Sequence, residues 1–181
     1  MRFLAAGLEG AFVVELEEHA DERGFFARAF SKDEFAEQGI PMDVVQANLS
    51  SNHEAGTVRG LHYQLPPKAE AKLFRCVKGA VYAVAVDLRP ESPTYRSHAA
   101  HELSDKDHRA LYVPPLCATG YQTLRPGSEV LYLTSAVYAP DLERGLRYDD
   151  PLLGIPWPLQ ARVVSAKDSA WPLLDPQGAD S

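Results

Sequence analysis

Short alternating segments, cut apart by glycine and proline, recur from Gly10 to Val137 and leave the chain few folds to choose from. GAFVVEL (10–16), FFARAF (25–30), MDVVQANLSS (42–51), TVRGLHYQ (57–64), KLFRCV (72–77), AVYAVAVDL (80–88), LYV (111–113) and EVLYLTSAV (129–137) each carry the pattern of a strand. Pro66-Pro67 stops the fourth segment, because proline has no N–H to give a ladder. No βαβ rhythm and no glycine-rich phosphate loop interrupts the series. Strands this short and this evenly spaced predict an all-β, antiparallel sandwich or barrel. One short surface helix is expected over 32–38, where Ser31 and Glu34 form a capping-box pattern and Gly39 and Pro41 close the run. EEHADERG (17–24) reads as a loop. From Tyr138 the chain is loop-rich, Ser165 caps a last helical turn in AKDSAW, and residues 173–181 read as a frayed tail.

At 181 residues, with no linker-like shift in composition, the chain reads as a single domain spanning 1–181. The formal net charge of −7 argues against nucleic acid or an anionic membrane as partner, although local arginines can still hold a phosphorylated ligand. Cys76 and Cys117 sit among apolar residues without metal or redox spacing and read as reduced, buried thiols. MRFLAAGLEGAF is too short an apolar run for a secretory signal, and nothing approaches the roughly 18 apolar residues of a membrane span. The expected location is cytoplasmic.

Within RGLHYQLPPKAEAK (59–72), alternation sets Val58, Gly60, His62 and Gln64 on one face and Arg59, Leu61 and Tyr63 on the other. From the residues alone, His62 reads equally well as a hydrogen-bonded structural histidine or as a base. Lys72 nearby and Tyr132 in a distant strand would complete a set for removing a proton beside a ketone. The same residue types also occur as ordinary packing and surface groups.

RGFF (23–26), QANLSS (46–51), TVRGLHYQ, KLFRCVKG (72–79), VAVDLRPESPTY (84–95), EVLYLTSAVYAP (129–140), RYDDPLLGIPWP (147–158) and SAKDSAWPLL (165–174), taken in order, resemble the dTDP-4-dehydrorhamnose 3,5-epimerase family. The resemblance covers most of the chain. It implies a cupin-type jelly roll, a homodimer, and neither metal nor other cofactor. Independently, His62 is followed by Tyr63-Gln64 rather than by the second histidine of an HxH metal pair. The substrate class implied is a nucleotide diphosphate sugar with a ketone at C4, whose C3 and C5 hydrogens are acidic. By the same resemblance His62 is the base, Asp168 orients its imidazole, Lys72 stabilises the enolate oxygen, and Tyr132 returns a proton from the opposite face. Arg23 and Arg59 would take the diphosphate. Phe26 would pack on the nucleobase, with Gln46, Asn48 and Gln64 as polar contacts. Tyr138 would line the sugar pocket, with Glu143 and Lys167 beside it.

Three departures stand out against the pattern of the family. The block LCATGY (116–121) has Thr119 where the family carries a histidine, Ala83 stands where it carries an aspartate, and Arg28 where it carries a glutamate. If the missing histidine and aspartate were partners, Ala83 and Thr119 should face each other inside the pocket. The acid–base set is retained, so epimerisation at C3, at C5 or at both leads, with the substrate and the position left open by the three departures. A single-position epimerase or 3,4-ketoisomerase on a different nucleotide sugar, and a non-catalytic sugar-nucleotide binder, stand as alternatives.

Overall fold

The computed structural model describes residues 1–175. Its strands are β1 (Arg2–Ala5), β2 (Phe12–Glu15), β3 (His19–Asp21), β4 (Gly24–Phe26), β5 (Gln46–Asn52), β6 (Thr57–Gln64) and β7 (Lys72–Lys78). There follow β8 (Ala80–Asp87), β9 (His98–Ser104), β10 (Ala110–Val113), β11 (Cys117–Thr123), β12 (Ser128–Thr134), β13 (Glu143–Gly145) and β14 (Val163–Val164). Helix α1 spans Lys32–Glu37 and the single turn α2 spans Ala166–Ser169. One sheet runs β1-β2-β10-β7-β12-β5 and the other β13-β6-β11-β8-β9, with β14 added in parallel to β6. This is the all-β, antiparallel, two-sheet architecture of a jelly roll, with few and short helices.

The sheets enclose one apolar interior. Val13, Phe74, Cys76, Leu111 and Val130 of the first sheet meet Val81, Ala83, Ala85, Leu103 and Tyr121 of the second. Each sheet is also covered outside. Phe35 of α1, with Ile40 and Met42, packs on Val14, Leu73 and Tyr112. Leu146, Leu153 and Leu174 pack on Leu61, Val84, Val86 and Ala118. Burial on both faces explains why AVYAVAVD is a nearly continuous apolar run rather than an alternating one. Cys76 and Cys117 are free and buried, and burial pushes their thiols up to about 11 and about 12. Neither is a nucleophile at neutral pH.

Ser31 caps α1, its Oγ accepting the Glu34 amide at 3.4 Å. The reciprocal half of the box does not form, because Glu34 Oε2 takes the N-terminal ammonium at 2.7 Å instead. Ser165 caps α2 as expected, accepting the Asp168 amide at 3.0 Å. EEHADERG is not a plain loop: β3 lies inside it and pairs with β4 as a hairpin. The tail expectation also changes. Leu174 is buried and its amide donates to Asp150 Oδ2 at 2.6 Å, while 176–181 lie outside the described residues.

Candidate active site

The cavity, about 410 Å³, opens between the two sheets. Ser50, Lys72, Phe74 and Tyr132 line it from the first sheet, and Arg59, His62, Thr119 and Tyr121 from the second. Simple alternation would put Arg59 and His62 on opposite faces. A β-bulge brings them together: Thr119 pairs with His62 and Tyr121 with Arg59, so three residue steps in β6 oppose two in β11. Gly60 sits in this bulge at φ +110°, and a Cβ there would lie 2.7 Å from both Gly120 Cα and Thr119 O. Only glycine fits that conformation and that approach.

His62 Nε2 lies 2.6 Å from Asp168 Oδ1. An ionised carboxylate only accepts, so Nε2 carries the hydrogen and Nδ1 keeps the basic lone pair. Asp168 Oδ2 accepts the Gly60 amide at 3.2 Å, which ties the carboxylate to the bulge as well as to the imidazole. Burial pushes the Asp168 carboxyl up, but His62, the Gly60 amide and Ser165 outweigh it and hold the group below its usual 3.8. Behind the imidazole, Gly145 is the β13 partner of His62. A side chain there would collide with Trp171, whose ring stands edge-on to His62 at 6.4 Å between centroids.

Across the cavity, Tyr132 projects from β12 beside Asn48, its register partner in β5. Burial first, then Coulombic coupling to the neighbouring Tyr121 and to the carboxylate of Glu70, raises its phenol above the ordinary 10.0, with Arg59 partly offsetting. Tyr132 therefore holds its proton at neutral pH. Lys72 Nζ reaches Glu70 Oε1 at 3.1 Å, Thr119 Oγ1 at 3.2 Å and the His62 carbonyl at 3.3 Å. Arg59 Nε donates to Asn52 Oδ1 at 2.7 Å, and Asn52 and Ser50 in turn hold the Tyr121 hydroxyl at 3.4 and 2.7 Å. One wall thus carries a histidine–carboxylate pair, the other a protonated phenol, with cations between them. Among the described residues, no three His, Cys, Asp or Glu side chains cluster so as to hold a metal ion.

A family model described as dTDP-4-dehydrorhamnose 3,5-epimerase matches residues 5–176. The chain belongs to this family. A dTDP-4-dehydrorhamnose 3,5-epimerase of Sinorhizobium fredii is 39% identical over 175 residues, covering 96% of this chain and 90% of that one. The Bacillus anthracis enzyme of the same description, crystallised with TDP and PPi, superposes with TM-score 0.92 at 39% identity, covering 96% of this chain and 99% of that one. A dTDP-6-deoxy-D-glucose-3,5-epimerase of Legionella pneumophila, in complex with dTDP-4-keto-L-rhamnose, gives 0.89 at 34% identity over 95% and 92%. The chain is accordingly an isomerase, a 3,5-epimerase of deoxysugar biosynthesis.

Set beside the family expectations, the residues fall into three groups. His62, Lys72, Tyr132, Asp168, Arg59 and Lys167 line the cavity together. Tyr138, Glu143, Gln46 and Asn48 join them through a hydrogen-bonded network. Tyr138 Oη donates to Glu143 Oε2 at 2.7 Å, Lys167 pairs with the same carboxylate, and Gln46 Oε1 accepts the Tyr138 amide at 3.2 Å. Gln46 Nε2 donates to Asn48 Oδ1 at 2.8 Å. Burial pushes the Glu143 carboxyl up, yet Lys167 and Tyr138 outweigh it and keep the group ionised below its usual range.

The third group lies elsewhere. Gln64 is buried, and its amide braces two loops through Lys68 O, Val137 O and the Ala139 amide. Arg23 and Phe26 ride on the β3–β4 hairpin, with Phe26 72% exposed. Arg75, on the outward side of β7, donates to the Ala29 carbonyl, so the chain leaving this hairpin lies against the outer face of the first sheet. Arg28 pairs with Glu34 on that side, away from the cavity. Ala83 and Thr119 share the inner face but are not cross-strand partners: Thr119 stands opposite Ala85, and Ala83 opposite Tyr121. The sequence reading missed Ser50, Asn52, Tyr121 and Trp171. Alternation within CATGYQT, with Thr119 and Tyr121 on one face, was the available signal for Tyr121.

Proposed function

We propose that the protein inverts C3 and C5 of a nucleotide-linked 4-keto-6-deoxyhexose of the dTDP-4-dehydro-6-deoxyglucose type, passing through an enolate at each centre. The arrangement that carries this reading is the His62–Asp168 pair facing Tyr132 across one cavity. His62 Nδ1 takes the proton beside the ketone, and the electron pair of that C–H bond moves onto the C4 oxygen. Tyr132, protonated at neutral pH, gives its proton to the other face of the same carbon, which inverts it. Return of the proton from imidazolium to phenolate through solvent resets the pair. Asp168 holds the tautomer that leaves Nδ1 free, and Lys72 supplies positive charge near the developing enolate. Arg59 offers its guanidinium to the diphosphate. The TDP, PPi and dTDP-4-keto-L-rhamnose bound by the solved relatives support that substrate class.

Arg23 and Phe26 do not line the cavity of their own chain, and the segment that follows their hairpin lies against the outer face of the first sheet. The reading that keeps them as substrate contacts is a homodimer in which the hairpin of one copy enters the cavity of the other. The exposed apolar residues Val45, Leu49, Val77 and Leu131, on or beside the outer face near edge strand β5, suit such an association. A cytoplasmic location accords with two buried free thiols.

Incubation with dTDP-4-keto-6-deoxyglucose in deuterium oxide, followed by NMR of the sugar, tests the assignment. Deuterium at C3 and C5 with inversion is expected, and His62→Ala should abolish both. A wild type that takes up no deuterium from this or any related nucleotide 4-keto sugar would sink the assignment.

A further inference from the structure

Lys72 has three N–H bonds to give, and three protein acceptors already face its Nζ: Glu70, Thr119 and the carbonyl of His62. Its side chain is only 14% exposed and that of Glu70 only 10%, so water does not readily replace these partners. The Lys72 donors are therefore committed within the protein. Thr119 is placed differently. Its oxygen accepts from Lys72, so its own hydrogen points away from the ammonium. The acceptor it has is the His62 carbonyl at 3.4 Å, long for an O–H donor and shared with Lys72. Thr119 lines the cavity and is the cross-strand partner of His62 itself. It is a hydroxyl beside the base, polarised by a cation and with a loosely held proton.

We propose that Thr119 is a further catalytic residue, its hydroxyl donating the hydrogen bond that receives the C4 oxygen as the enolate forms, with Lys72 acting through it. This rests on the epimerase reading above. No covalent bond to Thr119 changes: the electron pair released at C3 or C5 resides on the C4 oxygen, and the Thr119 proton stays on Oγ. A donor preorganised toward developing charge strengthens its interaction in the transition state, so its removal lowers kcat more than it raises KM.

The test compares wild type, Thr119→Val, Thr119→Ser and Thr119→Cys by steady-state kinetics and deuterium uptake, with TDP affinity and thermal unfolding measured on each. Valine should lower kcat by roughly 10²–10³-fold with KM changed little, as loss of one oxyanion donor does. Serine keeps the hydroxyl and should stay within about tenfold of wild type, while cysteine, a weak donor, should fall near valine. A Thr119→Val kcat within about threefold of wild type, or a serine variant as slow as the cysteine one, overturns the inference. If valine prevents folding, the serine–cysteine comparison still decides it. A wild type that takes up no deuterium overturns the epimerase reading and this inference with it. A wild type that exchanges normally beside an equally fast valine variant overturns this inference alone.

Discussion

His62 Nε2 and Asp168 Oδ1 stand 2.6 Å apart although 106 positions separate them in the chain. The other oxygen of that carboxylate holds the Gly60 amide, so one side chain sets both the tautomer of the base and the bulge that presents it. α2 is a single turn, capped by Ser165, and it carries Asp168 onto β6. A chain segment with little regular structure thus supplies the group on which the orientation of the base depends.

Asp168→Asn keeps the shape of the side chain and removes its charge. The amide can present a donor to Nε2 and reverse the tautomer, which places a hydrogen on Nδ1 where the base needs a lone pair. A loss of roughly 10²–10⁴-fold in kcat is expected, with TDP affinity held near that of wild type. Single-turnover NMR in deuterium oxide would read it. Uptake as fast as wild type would remove the orienting role from Asp168.

The same carboxylate gives a pH signature in stability. Its folded value lies below the usual 3.8, so its contribution is present above the unfolded value and is lost as pH falls through the folded one. Wild type should therefore lose stability between about pH 5 and the folded value of Asp168, and Asp168→Asn should lose less over that window. Urea unfolding at successive pH values measures the difference. Parallel curves for the two proteins would contradict the depressed carboxylate.

Gly60→Ala should cost about 2 kcal/mol or more, because it combines a positive-φ position with a 2.7 Å approach to backbone atoms that cannot yield easily. Activity should fall with stability, since relaxing the bulge rotates Arg59 away from His62. Chemical denaturation and deuterium uptake on the same preparations would show both.

Much of this was legible in the residues, and the failures have physical causes. Ser31 and Ser165 announced their caps because N-capping is local chemistry. The strands AVYAVAVD and EVLYLTS declared themselves through apolar content. β9, HAAHELS, did not, since alanine, histidine and glutamate have little strand preference and tertiary pairing with β8 decides its conformation. Alternation sets Arg59 on the wrong face because it assumes an unbroken ladder, and a bulge is invisible until the partner strand is present. Gln64 enters the expected site by resemblance alone, yet its side-chain amide is taken up by backbone groups from two loops. The site residues came from motif resemblance. Their distances came from the fold.

Tyr132→Phe separates exchange from inversion. His62 should still remove a proton and return one to the same face, so deuterium should enter while the configuration is retained. Inversion needs a donor on the opposite face and should fall by roughly 10²-fold or more. NMR resolves the two outcomes on one sample. Normal inversion in this variant would take the acid role away from Tyr132.

Lys167→Met removes the cation that fixes Glu143 and, through it, Tyr138. Lys167 lines the cavity and Glu143 and Tyr138 join it by hydrogen bonds, and none of the three is assigned a proton transfer. KM should rise several-fold while kcat stays within about threefold, the signature of lost ground-state binding. A large fall in kcat with unchanged KM would place Lys167 in the chemistry instead.

Mixed dimers test the shared site. An Arg23→Ala/Phe26→Ala chain keeps its base but lacks the hairpin contacts it would lend, while a His62→Ala chain keeps the hairpin and lacks the base. Each alone should be nearly inactive. If the hairpin of one copy serves the cavity of the other, a mixed dimer contains one complete site: the base of the first chain together with the hairpin of the second. Equal mixing with subunit exchange should then restore roughly a quarter of the wild-type sites, because a random assortment makes about half of the dimers mixed and each has one good site of two. If each hairpin served its own chain, no assortment would unite an intact base with an intact hairpin, and mixing would restore nothing. Recovery of activity on mixing, together with a dimer by sedimentation, is therefore the expected result. The hairpin variant reaching wild-type rates alone would free Arg23 and Phe26 from any role in binding.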